Sequence, residues 1–223
     1  MRRIAGLLAL AAFTCAVTTA AGEPAVSETI DTSSLEAPWP HQLEREIEVG
    51  RENVVWRQRG SRKEGIFAGI RFQVPVDRPR AWALANDYSD VGSHTEGIRS
   101  VRVIEEAPGR RRVLVEAEVL WITLRLDFEI EEKEPESIRF RLRNPEIGEY
   151  TGYCRFEPAE PKPEGGQATS IEFATRFKPV RPIPIGLALL AERMVLLRGV
   201  RAFLETVDKS KAKAILHPMC PVA

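Results

Sequence analysis

Alternation of apolar and polar positions dominates the chain from residue 66 to residue 177. Ile66, Ala68, Ile70, Phe72 and Val74 alternate with Gly69, Arg71 and Gln73, which predicts a strand with one buried face that Pro75 ends. Asp77 then suits a helix cap and Pro79 a first helical turn, so Arg80–Asn86 is expected as a short helix, with Trp82 and Ala85 on its inner side. A second loose turn is expected to reach Thr95. Strands follow at Val101–Val103, Val113–Val119, Ile122–Glu131, Ile138–Leu142, Tyr150–Glu157 and Ile171–Phe177, parted by Pro/Gly turns. The cleanest is Ile122–Glu131, where Ile122, Leu124, Leu126, Phe128 and Ile130 alternate with Thr123, Arg125, Asp127, Glu129 and Glu131. Adjacent hairpins of similar length predict an antiparallel meander.

The period changes after Pro179, Pro182 and Pro184. From Ile185 to about Lys213 the spacing is helical, and the apolar residues fall in two neighbouring rows. Leu187, Leu190, Met194, Leu197 and Leu204 form one row; Leu189, Leu196, Val200, Phe203 and Val207 form the other. Together they cover more than half the circumference, whereas a helix lying on a flat sheet needs a stripe of about 100°. The width predicts a helix gripped by more than one surface. A curved antiparallel sheet closed by such a helix makes an α+β fold with an apolar hollow, and hollows of that kind hold apolar small molecules.

Composition adds limits. The 223 residues carry 32 basic and 32 acidic side chains, so no bulk charge favours nucleic acid. Arg2 and Arg3, the apolar run Ile4–Val17 and the small residues Thr18–Gly22 read as an export signal cleaved near Ala20 or Ala21. An uncleaved anchor is the alternative, although the run is short of the about 20 residues that span a bilayer. Cleavage takes the basic count to 30 against 32 acids and leaves a periplasmic or secreted protein. The expected organisation is a signal at 1–21, a flexible tether at 22–45, an accessory hairpin at 46–62, the main domain at 63–214 and a tail at 215–223. Export makes a disulfide between Cys154 and Cys220 chemically open; a buried thiol and a free one are the alternative.

Four places together resemble the START / polyketide-cyclase / coenzyme-Q-binding superfamily, also called SRPBCC, over roughly Glu64 to Lys213. They are Phe72–Val76 followed by Arg80–Tyr88; Ile98–Val103; Thr151-Gly152-Tyr153-Cys154-Arg155-Phe156-Glu157-Pro158; and Leu189–Val207. The resemblance implies a helix-grip fold: about seven curved antiparallel strands wrapped round a long C-terminal helix, with two short helices after the first strand and an internal hydrophobic cavity. It implies no single activity, since members bind sterols, lipids, quinones or polyketides and some are cyclases or hydrolases.

The chemistry-bearing residues are sparse. His41, His94 and His217 lie in the tether, a loop and the tail, at no metal-ligand spacing. No phosphate loop or nucleophile elbow occurs. Asp127, Glu129, Glu131, Arg139 and Arg141 alternate outward, as on a solvated face with cross-strand ion pairs. Inward polar candidates are Thr175, Arg193 and Arg201, the arginines being as readily placed with their heads in water. Trp121, at a hairpin tip, is an entrance or membrane-touching candidate. The expected cavity wall is Phe72, Leu126, Phe128, Phe140, Tyr153, Phe173, Thr175, Phe177, Leu190, Met194, Leu197 and Arg201. The function expected is non-catalytic binding or transport of a lipid, isoprenoid or quinone by a monomer, with transient membrane contact, no nucleic acid and no cofactor. A cyclase- or hydrolase-like enzyme using the same cavity, and an envelope interaction module with a filled cavity, are the alternatives.

Overall fold

The structure is a computed structural model. It describes residues 29–36, 44–50, 52–61, 63–88, 95–119, 122–144, 146–160, 166–181 and 183–216, with side chains as far as residue 210. Nine strands form one antiparallel sheet: β1 (Glu44–Val49), β2 (Glu52–Ser61), β3 (Gly65–Val74), β4 (Ile98–Ala107), β5 (Arg110–Val119), β6 (Ile122–Lys133), β7 (Ser137–Leu142), β8 (Gly148–Ala159) and β9 (Ala168–Pro179). Their order across the sheet is β1-β2-β3-β9-β8-β7-β6-β5-β4. Three helices complete the described chain: α1 (Ser33–Glu36), α2 (Arg78–Ala85) and α3 (Ile185–Leu216).

Two expectations about the N-terminal part are corrected. The hairpin at 46–62 is no accessory, because β2 pairs with β3 from Val55↔Arg71 to Ser61↔Gly65 and carries the sheet from seven strands to nine. Part of the expected tether is docked. Ile30 and Leu35 are 1 % exposed, the Ile30 N–H donates to Glu131 at 3.1 Å, and Glu36 sits 3.6 Å from both Arg139 and Arg155. A Ser/Thr/Glu-rich composition hides two apolar anchors spaced to fit the outer face of the sheet.

The cap of α2 forms as its sequence predicts. Asp77 accepts the Arg80 N–H at 2.8 Å, and Pro79 sits in the first turn, where a missing N–H costs nothing. The second helical turn expected after it falls largely on residues outside the described set, as do His41, His94, His217, Trp121 and Cys220.

The convex face is polar where expected. Arg112 meets Asp127 at 2.7 Å, Arg110 meets Glu131 at 2.6 Å and Arg141 meets Glu129 at 2.8 Å. These pairs are partly solvated, so each contributes little beyond fixing register.

The concave face is where α3 lies. It packs on β1, β2 and β3 and against α2. Val54, Trp56, Ile70, Phe72, Leu196, Val200 and Val207 make a solid core there, with Phe72 and Phe203 edge to face at 6.1 Å. The buried stripe of α3 is Ala188, Glu192, Leu196 and Val200, at four-residue steps, with Ala202 and Val207 buried beyond them. Leu187 and Leu190, from the other expected row, are 44 % and 50 % exposed. The broad stripe thus outruns the grip at the start of the helix.

Gly199 lies in α3 on a side where an added methyl group would meet no neighbouring element within 4 Å. Gly199→Ala should therefore raise stability by about 1 kcal/mol, the helix-propensity difference. A thermal or urea melt checks it; a loss of stability would mean that the helix is packed on that side.

An aromatic hollow with a buried acid

Register fixes which side chains face inward. Across the sheet, Ile66, Phe177 and Tyr150 align, as do Ala68, Thr175, Gly152 and Phe140, and Ile70, Phe173, Cys154 and Ile138. Leu126 and Phe128 share that face through Phe128↔Leu142. The rings make one continuous wall. Phe140 stacks on Phe173 at 5.5 Å, Phe128 meets Phe140 edge-on at 5.9 Å, and Tyr150 touches Phe128, Phe140 and Phe177 at 6.1, 6.0 and 5.8 Å.

Gly152 allows this arrangement. A methyl group there would run into the Phe140 ring and stand 2.6 Å from the Ala174 carbonyl oxygen. Its bare Cα is what lets Phe140 lie across β8.

The wall is only partly covered. Tyr150 and Cys154 keep part of their surface accessible. Yet burial pushes the phenol of Tyr150 and the thiol of Cys154 well above their ordinary values. Phe128, Phe140, Phe173 and Phe177 are likewise only half-buried although they point inward.

One acid reaches this wall. Glu192 on α3 is 6 % exposed, and the Tyr150 hydroxyl donates to its Oε2 at 3.4 Å. Burial pushes its carboxyl up to about 7, with the Tyr150 hydrogen bond opposing only in part. Thr175, fully buried, donates to the Ala68 carbonyl at 3.4 Å and neighbours the Tyr150 hydroxyl.

A second polar group closes the α2 end of the concave face. Tyr88 donates to Glu132 at 2.9 Å, while Arg111 reaches Glu132 at 3.1 Å and Glu106 at 2.9 Å. The Trp82 indole N–H beside it is buried without an acceptor among the described residues. Two surface grooves, of about 630 and 420 Å³, lie at this end. They are open and lined by Arg110, Arg139, Glu131, Glu132 and Glu136 among others, which suits water better than an apolar guest. Among the described residues no group of three or more His, Cys, Asp or Glu could hold a metal.

The expected wall residues divide. Leu126, Phe128, Phe140, Phe173 and Phe177 stand on the concave face, with Met194 and Leu197 half-buried on α3. Phe72 also points inward, but into solid core at 5 % exposure. Thr175 is sealed beneath the surface, and Leu190 lies at the exposed start of the helix. Tyr153 is a correction. It points to the convex face, where it packs with Leu35, Phe67 and Ala174 under the docked N-terminal strap. Arg201 is a second correction, since it and Arg193 are exposed. Cys154 carries a free thiol, and Cys220 lies outside the described residues.

Sequence reasoning misses Glu192, Tyr150 and Glu132, and each carries a signal. Glu192 sits four before Leu196 on the buried row; Tyr150 is two before Gly152; Glu132 continues the Leu126, Phe128, Ile130 alternation.

Solved structures with this fold include a START superfamily protein from Mycobacterium smegmatis (TM-score 0.57, 11 % identity, 65 % of this chain and 98 % of that one). A STAR-related lipid transfer protein from Xanthomonas axonopodis aligns with TM-score 0.54 at 11 % identity, over 74 % of this chain and 98 % of that one. The Zhui aromatase/cyclase from Streptomyces sp. R1128 aligns with TM-score 0.53 at 15 % identity, over 67 % and 94 %. No curated protein matches by sequence. The family model described as polyketide cyclase / dehydrase and lipid transport matches residues 74–204, more than half of the chain. With that match, and with the helix-grip sheet already in place, the chain belongs to the polyketide cyclase / dehydrase and lipid-transport family.

Proposed function

We propose that this protein binds an apolar small molecule, such as a lipid, isoprenoid or quinone, in the hollow beneath α3, and that it does so without transforming it. Family and fold indicate a START/polyketide-cyclase-like domain for hydrophobic ligands. The observation that carries the finer reading is the continuous wall of phenylalanine and tyrosine rings on the concave face, left half-buried. Burial of ligand area supplies the drive, at about 25 cal/mol per Å² before ordering costs. A hollow filled by its own side chains is disfavoured by the half-buried state of Phe128, Phe140, Phe173 and Phe177.

One observation favours the cyclase-like reading: Glu192, a buried carboxyl held near neutrality beside a phenol, is a candidate general acid. Non-catalytic binding is preferred because Thr175 is sealed, Arg193 and Arg201 are exposed, and nothing else ionisable approaches Glu192 among the described residues. Mass spectrometry of the ligand before and after incubation separates the two; a mass change lost in Glu192→Gln would establish catalysis.

We place the protein in the cell envelope on its N-terminal pattern, and allow it transient membrane contact through exposed Ile183, Leu187 and Leu190. Protein isolated from the envelope fraction should begin at Ala21 or Gly22. An N-terminus at Met1 would contradict cleavage.

A further inference from the structure

We propose that the Glu192–Tyr150 pair is the head-group site of the hollow, and that it selects an uncharged hydroxyl- or carbonyl-headed amphiphile over an anionic or cationic one. This rests on the ligand-binding reading above and names the class of guest.

The geometry is particular. Among the described residues Tyr150 is the one wall ring with a hydroxyl, and it touches Phe128, Phe140 and Phe177. Its hydroxyl meets a carboxyl that comes from the opposite layer, on α3. The Tyr150 bond at 3.4 Å is long, and among the described residues it is the only hydrogen bond Glu192 makes, so the carboxyl keeps capacity for a further partner. Buried polar groups are normally fully hydrogen-bonded, and an under-bonded one costs stability. A guest that supplies the missing bond recovers that cost.

Charge decides which guest. Among the described residues no cation faces Glu192: Arg193 and Arg201 on its own helix are exposed, and Arg198 turns to Glu96 at 3.0 Å. The elements opposite offer Tyr150, Thr175 and Phe177. If Glu192 is ionised it repels an anionic head. If it is protonated, it offers no charge to offset that head's desolvation. An ammonium head would find one partner in an ionised Glu192, but its other donors would face the phenylalanine walls and two charges would have to leave water. A hydroxyl or carbonyl needs one or two hydrogen bonds, and a carboxylic acid beside a phenol provides both a donor and an acceptor.

The test uses the full mature chain, Nile red as a neutral hydrophobic probe, and four competitors of one tail length: hexadecanol, hexadecan-2-one, hexadecanoate and hexadecylamine. Hexadecanol and hexadecan-2-one should displace Nile red at concentrations about ten-fold below the two charged competitors. Glu192→Leu should raise the hexadecanol concentration required by about ten-fold. Glu192→Gln, which restores a neutral donor and acceptor, should recover most of that loss, and Tyr150→Phe should weaken hexadecanol more than it weakens hexadecane. Nile red uptake by each variant reports whether the hollow is intact. Equal or better displacement by hexadecanoate or hexadecylamine overturns the inference while leaving the hollow standing. Failure of the wild type to take up Nile red or any competitor overturns both.

Discussion

Glu192→Gln should stabilise the protein, relative to wild type, by about 3 kcal/mol more at pH 8 than at pH 4. The physical basis is proton linkage. Burial raises the Glu192 carboxyl from the ordinary value of 4.5 to about 7 in the folded protein. At low pH both folded and unfolded chains hold the proton, and the contribution is fully present. As pH rises past about 4.5 the unfolded chain releases its proton while the folded one keeps it, so the unfolded state gains. Stability therefore falls with pH until the folded carboxyl titrates near 7, and is flat beyond. Glutamine has no proton to lose. Its constant packing cost cancels when the two pH values are compared. Urea melts of both proteins across that range supply the measurement. Parallel curves would mean that Glu192 is solvated, and would remove the acid from the hollow.

Gly152→Val should destabilise the protein by about 3 kcal/mol and close part of the hollow. Strand propensity alone argues the other way, since valine gains up to about 1 kcal/mol over glycine in a sheet. Sterics win here. The added carbon meets the Phe140 ring and the Ala174 carbonyl oxygen, the latter at 2.6 Å. A ring can swing aside, but the carbonyl belongs to the backbone of β9. Relief requires either parting β8 from β9 or driving Phe140 into the space that a guest would occupy. A melt combined with Nile red uptake reads both effects. A stable variant with undiminished uptake would show that Phe140 does not border the ligand space.

How much of this is legible in the residues depends on what each pattern constrains. Strict alternation makes Phe128, Phe140, Phe173 and Phe177 readable, because a period of two leaves no choice of face once one residue is placed. Tyr153 fails for the same reason inverted: a motif likeness puts it inside, although Gly152, Cys154 and Phe156 already claim alternate positions around it. Phe72 has the correct face, but periodicity cannot tell wall from core; that depends on where α3 lands, over β1 to β3. The docked strap is invisible because Ile30 and Leu35 are two anchors without a period. Glu192 escapes a search for apolar rows, since an acid at helical spacing reads as solvated until the opposite layer is known.

Native mass spectrometry of the protein isolated from its own cells tests the central claim most directly. The account predicts a mass above that of the polypeptide, released by organic solvent and identified as an uncharged amphiphile. A polypeptide that arrives empty, and then takes up neither lipid nor hydrophobic dye, would contradict it.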